Sequence, residues 1–365
     1  MKVGIVWLPN VGKSTLFNAL TKNYSAESGN FPFCTIDSNT GIVNVKDHRV
    51  DKLAEISNSE KTRYANMKFV DIAGLVKWAS KWEGLGNKFL WNIREVDAIV
   101  QVVRYFENED VTHVHGGVDP MDDIDVINTE LIMADLDQLE PHIKTYKKKL
   151  KSWEKEAKKK LPVLEKVYDI LSEWNIAYDL KESMSQKELD IIKEYNLLTF
   201  KPFVYAFNIW EDQLDKAPEI KKQFKEKIDK PIELVCAKLE ADMLDFDDEE
   251  KQEYLSSIVD ADVNVPTLDD LIKLTFDTVG LMYYFTTWEK ESRAWTIKKW
   301  STAPEAAGKI HTDFEEGFIR AEVIQYDQLI EDGGWKEAKN NWNMRLEWSD
   351  YIVQDGDVIV FRFNN

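Results

Sequence analysis

Lys13 and Ser14, set just behind Gly12 in the run Leu8-Pro-Asn-Val-Gly-Lys-Ser-Thr15, have the types and spacing that bind a triphosphate. In a strand–loop–helix turn of this kind, backbone N–H groups and the positive end of the helix surround phosphate oxygens. The lysine reaches the β- and γ-phosphates, and the hydroxyl ligates Mg2+. Further along, Met67-Lys-Phe-Val-Asp71-Ile-Ala-Gly74 ends an apolar run in Asp-x-x-Gly. An acidic residue there binds Mg2+ through water, and the Gly74 N–H can contact the γ-phosphate. Between the two motifs lies the polar loop Asn30-Phe-Pro-Phe-Cys-Thr35-Ile36. A threonine in such a loop senses the γ-phosphate through the metal; Thr35 is the candidate, with Thr40 as the alternative. Lys13, Thr35, Asp71 and Gly74 thus form the expected set for γ-phosphoryl transfer to water.

Two positions depart from that chemistry. The phosphate-loop pattern opens with glycine, whose backbone adopts positive φ and approaches phosphates closely, and here that residue is Trp7. Leu75 stands where Ras-type enzymes carry a water-orienting glutamine, so hydrolysis needs another group or a metal ion. A third station is Phe203-Val-Tyr-Ala-Phe-Asn208-Ile-Trp-Glu211, an apolar strand ending in Asn-x-x-Glu. Guanine-specific P-loop proteins use Asn-Lys-x-Asp at this station. With Ile209 for the lysine and Glu211 for the aspartate, the guanine clamp is lost. Cys236-Ala-Lys238 follows the last strand as the base loop. His113 and His115 lie in a loop and read as solvated rather than as nucleotide ligands.

The elements that must position these residues are legible as well. Val3, Ile5 and Val6 predict a buried parallel strand, Ser14–Leu20 a helix, and Ile42–Val45, Ala98–Val103 and Ile232–Val235 further strands of an α/β sheet. From Asp125 the pattern changes. Ile132, Leu136, Leu139, Ile143, Tyr146 and Leu150 form a heptad seam, and Leu164, Val167 or Tyr168, Leu171 and Trp174 a return helix. Pro162 suits the start of that return helix, and Pro141 predicts a kink or restart. The tip between them, Lys147 to Lys160, is densely basic, fit either for RNA phosphates or for a solvated helix face. From about Leu281, alternating runs at Ser292–Ile297, Phe318–Ile324 and Val358–Phe363 predict a small separate β module.

Bulk properties narrow the classes. The length of 365 residues suits two or three domains, and a composition of 44% hydrophobic and 31% charged residues is that of a globular protein. No run reaches the length of a membrane span, and the strand at the N-terminus leaves no room for a signal peptide, so a cytoplasmic protein is expected. Cys34 and Cys236 form no framework. A net charge of −19 argues against a uniformly nucleic-acid-binding surface, while leaving room for a local basic patch.

Taken together, Leu8–Thr21, Asn30–Ile36, Phe69-Val-Asp-Ile-Ala-Gly-Leu75, the Asn208/Glu211 pair, Ile310–Arg320 and Asp350–Asp357 resemble the YchF-type (Obg-like) ATPases of the translation-factor P-loop class. The resemblance spans nearly the whole chain. It implies an α/β P-loop G domain over 1–124 and 200–280, an inserted helical coiled-coil hairpin over 125–199, and a ubiquitin-like β-grasp TGS domain over 281–365. It also implies slow, ATP-preferring hydrolysis by a monomer in translation or stress regulation. The partner implied is the ribosome, as large subunit or assembled 70S particle, with RNA contact through the basic hairpin tip. Residue by residue, Asn10, Val11, Gly12, Lys13, Ser14 and Thr15 would bind phosphate, Ser14, Thr35 and Asp71 would serve Mg2+, and Asn208, Ile209 and Glu211 would contact the base. Asn10 matches an asparagine that holds K+ in cation-activated relatives, an ion able to supply the charge that Leu75 cannot. The competing functions are a GTPase of the same fold and a nucleotide-impaired ribosome adaptor.

Several tryptophans stand where that family has glycine: Trp7, Trp78, Trp82 and Trp348, with Trp288 and Trp300. Trp295 matches a genuine family tryptophan. The chain holds 15 Gly and 13 Trp, together close to the ~7% expected of glycine alone. The favoured reading is that most of these are UGA codons the source organism reads as glycine. The alternative is a diverged homologue with a bulky phosphate loop.

Overall fold

The computed structural model describes residues 1–9, 11–23, 40–72, 93–106, 119–150, 154–260 and 263–364. They fall into two compact units, one built from segments within 1–23, 40–41 and 68–271, the other from 42–67 and 272–364.

The first unit is organised by a sheet of order β2-β4-β1-β5-β6-β7, comprising β1 (Lys2–Trp7), β2 (Thr40–Val45), β4 (Ala65–Asp71), β5 (Ala98–Arg104), β6 (Phe203–Asn208) and β7 (Ile232–Val235). β1 pairs in parallel with β4 and β5, β5 with β6, and β6 with β7. Every residue of β5 and β6 is buried, as a strand covered on both faces requires, which is why these segments read as unbroken apolar runs. Register places Trp7 beside Val102, Arg104 beside Asn208 and Asn208 beside Val235. The phosphate loop, Asp71, Asn208 and the loop after β7 therefore leave the sheet at its carboxyl edge, where open parallel sheets bind ligands. One face is filled by Val103, Tyr205, Phe207, Ile209, Leu214, Phe224, Ile232 and Leu234. Phe224 belongs to the helix Ala217–Lys225, and its ring stacks on Phe207 at 4.2 Å.

The predicted hairpin is present, but its prolines behave differently. After α1 (Lys13–Asn23) and α2 (His48–Ser57), helix α3 (Pro120–Leu150) starts before Asp125 and runs unbroken through Pro141; α4 (Lys155–Ser172) carries Pro162 inside it rather than at its start. Each proline removes one backbone hydrogen bond, and packing of the two helices against each other outweighs the loss. Ile132, Leu139 and Ile143 are buried in α3, and Leu164, Val167 and Leu171 in α4. Leu150 and Trp174, assigned to the seam by spacing, are instead 39% and 59% exposed. Asp135 of α3 is fully buried and accepts from the Leu198 and Thr199 N–H groups (3.0 and 2.8 Å) and the Thr199 hydroxyl (2.7 Å). Along the basic tip, Lys147 pairs with Glu165, Lys149 with Glu154 and Lys160 with Glu194. Such exposed pairs hold little energy but offset part of the local positive charge.

The second unit has a sheet of order β11-β10-β12-β8-β9-β3, formed by β3 (Thr62–Arg63), β8 (Leu281–Thr287), β9 (Ser292–Lys298), β10 (Phe318–Gln325), β11 (Arg345–Glu347) and β12 (Asp357–Phe363). β8 and β9 are an antiparallel hairpin and β12 runs parallel to β8, a β-grasp arrangement. Helix Ala303–Ile310 is tied to the sheet by the Tyr284 hydroxyl donating to Ala306 O at 2.8 Å. Between β2 and β4, which belong to the first sheet, the short strand β3 pairs in parallel with β9 and extends the second sheet.

Among the described residues, positive φ occurs at glycines, at Asn58 and Asn196, and at Trp174, Trp300 and Trp342. Trp295, by contrast, lies in β9 and donates from Nε1 to Thr286 Oγ1 at 2.9 Å. Trp300→Gly should therefore raise unfolding free energy by about 1 kcal/mol, whereas Trp295→Gly should cost about 3 kcal/mol, measured by urea denaturation.

Candidate nucleotide-binding site

Each site residue is placed by an element end. β1 delivers the chain into the phosphate loop at Trp7, and helix α1 (Lys13–Asn23) begins with Leu16 N–H donating to Gly12 O at 3.0 Å. Gly12 has φ 87°, and a Cβ there would lie 2.4 Å from Asn208 Nδ2. Glycine is therefore required both by backbone conformation and by space. Val11 is buried, while Ser14 is exposed on the first turn with Thr15 half-buried beside it. A hydroxyl in that place is free to meet a metal ion at the helix N-terminus.

Lys13 spans the gap between two strand ends. Its Nζ is 2.9 Å from Asp71 Oδ2, at the end of β4, and lies over the Trp7 ring at 4.3 Å from the centroid. Trp7 is 4% exposed and is not among the residues of positive φ. Position 7, where the pattern's glycine can adopt positive φ, here ends a regular strand, and the indole acts through its bulk against Lys13. The other oxygen, Asp71 Oδ1, is buried with no hydrogen-bond partner among the described residues. A carboxylate oxygen left open is costly, and it suits a metal-bound water. No group of three or more His, Cys, Asp or Glu able to hold a metal occurs among the described residues. Mg2+ does not need one, since it binds through one or two protein oxygens together with phosphates and water.

At the base station the residues are tightly packed. Asn208 is 4% exposed; its Nδ2 donates to Val11 O at 2.9 Å, and its Oδ1 accepts from Ala237 N–H at 3.1 Å. One Nδ2 hydrogen and one Oδ1 lone pair are engaged, so Asn208 ties the phosphate loop to the base loop while retaining a second donor and acceptor. Ile209 is fully buried, its side chain packed within the core. Glu211 is half-buried, and its Oε1 is a buried acceptor without a hydrogen-bond partner among the described residues. Cys236 is fully buried, and burial, with help from the Glu211 and Glu240 carboxylates, pushes its thiol up to about 11. It stays protonated and unreactive at neutral pH.

Thr35, Gly74 and Asn10 lie outside the described residues, as do Leu75, His113, His115, Cys34, Trp78 and Trp82. Thr40 opens β2, half-buried. Spacing gave no sign of Arg104, whose side chain is 1% exposed beside Asn208 in register; it donates to Phe106 O at 3.0 Å. A charged end to an otherwise apolar strand was the available signal. Removing the amide brace tests the arrangement: Asn208→Ala should weaken nucleotide binding by about tenfold and cost about 2 kcal/mol of stability, read by equilibrium binding and denaturation on the same preparation.

A sequence family described as a 50S ribosome-binding GTPase matches residues 2–166, and the YchF GTPase C-terminal family, described as a protein of unknown function, matches 281–364. The ribosome-binding ATPase YchF of Haemophilus ducreyi is 51% identical over 365 residues, covering 100% of this chain and 99% of its own. That of Bacillus subtilis is 46% identical over 370 residues with the same coverage. Among solved structures, the Schizosaccharomyces pombe YchF GTPase matches with a TM-score of 0.85 at 34% identity, over 99% of this chain and 97% of that one. Similarity of this extent, in sequence and in fold, means that the chain belongs to the YchF family.

Proposed function

We propose that this protein is an ATP-hydrolysing switch of the cytoplasmic ribosome, acting as a monomer with ATP preferred over GTP. The observation that carries the reading is a pair of buried carboxylate oxygens without a hydrogen-bond partner among the described residues, Asp71 Oδ1 at the end of β4 and Glu211 Oε1 just after β6. Asp71, the Ser14 hydroxyl and Thr35 would hold Mg2+, which when bound neutralises β,γ-phosphate charge. Glu211 offers an acceptor suited to the exocyclic amine of adenine. The lysine that would lie along a guanine ring is replaced by the inward-packed Ile209. Ribosome binding comes from the names of the relatives, with the lysines of the hairpin tip as the RNA-contacting group.

In this reading Lys13 exchanges Asp71 for the β- and γ-phosphates when nucleotide arrives. Gly12 keeps the loop backbone close to the phosphate oxygens, and Asn208 holds loop and base station at fixed separation. Water attacks the γ-phosphorus and ADP leaves, with Thr35 and Gly74 responding to loss of the γ-phosphate. Asn10 is the residue to hold K+ in place of a glutamine at Leu75.

A second reading rests on the Trp7 ring beneath Lys13 and the Lys13–Asp71 pair. Cation–π attraction and an ion pair together hold the lysine away from incoming phosphate, which favours a nucleotide-impaired ribosome adaptor if the tryptophan is native. Hydrolysis and ribosome co-sedimentation of a Lys13→Ala variant separate the two. The ATPase reading predicts Mg2+-dependent hydrolysis that falls by about 100-fold in the variant and nucleotide-dependent co-sedimentation. Equal co-sedimentation with or without nucleotide, and no hydrolysis even with glycine at position 7, would establish the adaptor.

A further inference from the structure

Helix α4 closes with a paired turn in which Asn175 N–H donates to Ile170 O at 3.2 Å and Trp174 N–H to Leu171 O at 3.0 Å. This is the Schellman pattern, and the residue after the cap, Trp174, has φ 63°. Glycine fills that slot in most helices because a Cβ in the left-handed region crowds the following carbonyl. The helix Trp335–Asn340 repeats the pattern. Asn343 N–H donates to Ala338 O at 3.1 Å, Trp342 N–H to Lys339 O at 3.3 Å, and Trp342 has φ 61°. The third case is the turn Lys298–Ser301, closed by Ser301 N–H to Lys298 O at 3.1 Å. Trp300, at φ 73°, takes its second central position, where positive φ favours glycine.

Elsewhere the same chain fills these slots with ordinary residues. Gly280 follows the helix Leu268–Thr278, Gly333 follows Tyr326–Asp332, and Asn58 follows His48–Ser57. The three tryptophans gain little from burial to offset their backbone strain, being 59%, 82% and 90% exposed at 174, 300 and 342. Tryptophans with an evident role look different. Trp295 hydrogen-bonds Thr286 and lies beneath Arg293, whose guanidinium is 3.9 Å from the ring. Trp335 donates from Nε1 to Thr287 O at 3.2 Å. Both are half-buried and have negative φ.

We infer that the native polypeptide carries glycine at positions 174, 300 and 342, and that the written tryptophans there are UGA codons which the source organism reads as glycine. UGA is one base from the tryptophan codon UGG and one from the glycine codon GGA, so a single codon translated two ways exchanges these residues. Backbone conformation thereby extends the reassignment to Trp174 and Trp342, for which the sequence pattern offered no sign. The same codon reading at position 7 removes the ring that faces Lys13 and opens the phosphate loop. The inference concerns covalent identity, so it stands or fails independently of whether the protein hydrolyses ATP.

The test is mass spectrometry of tryptic peptides of the protein purified from its own organism. Peptides 167–181, 300–309 and 340–345 should each have the mass and fragment series of glycine at the single tryptophan position, while peptide 294–298 retains tryptophan. Tryptophan at 174, 300 and 342 overturns the inference. Glycine in peptide 294–298 as well would overturn the division between strained and packed tryptophans on which it rests.

Discussion

The buried amide of Asn208 is the contact on which the nucleotide-binding edge depends. It donates to Val11 O and accepts from Ala237 N–H, linking the loop after β1 to the loop after β7 across two intervening strands. With 4% exposure, neither end of the amide has water to fall back on, so both partners are held by the full cost of an unmet buried hydrogen bond. Gly12 is the counterpart of this brace, because only a residue without Cβ leaves Asn208 room to approach. Loop conformation and base-loop position are consequently one constraint.

Around that brace the site holds its charges in a waiting arrangement. Lys13 and Asp71 neutralise each other across the gap that phosphate and metal would enter, while Asp71 Oδ1 and Glu211 Oε1 stay unpartnered among the described residues. A site organised in this way responds to the charge of its ligand: binding replaces one internal ion pair with several stronger contacts. Trp7 tilts the balance the other way, since its ring adds an attraction that keeps the lysine where it is.

Much of this was legible in the sequence. The continuous apolar runs of β5 and β6 could only be strands covered on both faces, and the lysine–serine step after Gly12 could only sit at a helix start. What escaped was set by tertiary contacts. Pro162 fits helix-start chemistry, yet α4 extends past it because the opposing apolar face of α3 supports the added turns. Trp174 continues the heptad count, yet the helix has ended by Ser172 and turned it to solvent. Ile209 and Asn208 lie in the base-recognition motif, but strand pleat and loop closure send one into the core and the other to the phosphate loop. Thr62 and Arg63 lie between two nucleotide-sheet strands in the chain yet pair as β3 with β9 of the C-terminal sheet, a two-residue pairing that carries no sequence signature.

The most direct test of the account is equilibrium binding of labelled ATP, with ATP and GTP as competitors, to two recombinant forms: the chain as written and one with glycine at position 7 and at the other suspect tryptophans. The account predicts tight, ATP-preferring binding by the glycine form and little by the other. Equal binding of ATP by both forms would contradict the role given to Trp7, and preference for GTP would contradict the role given to Glu211.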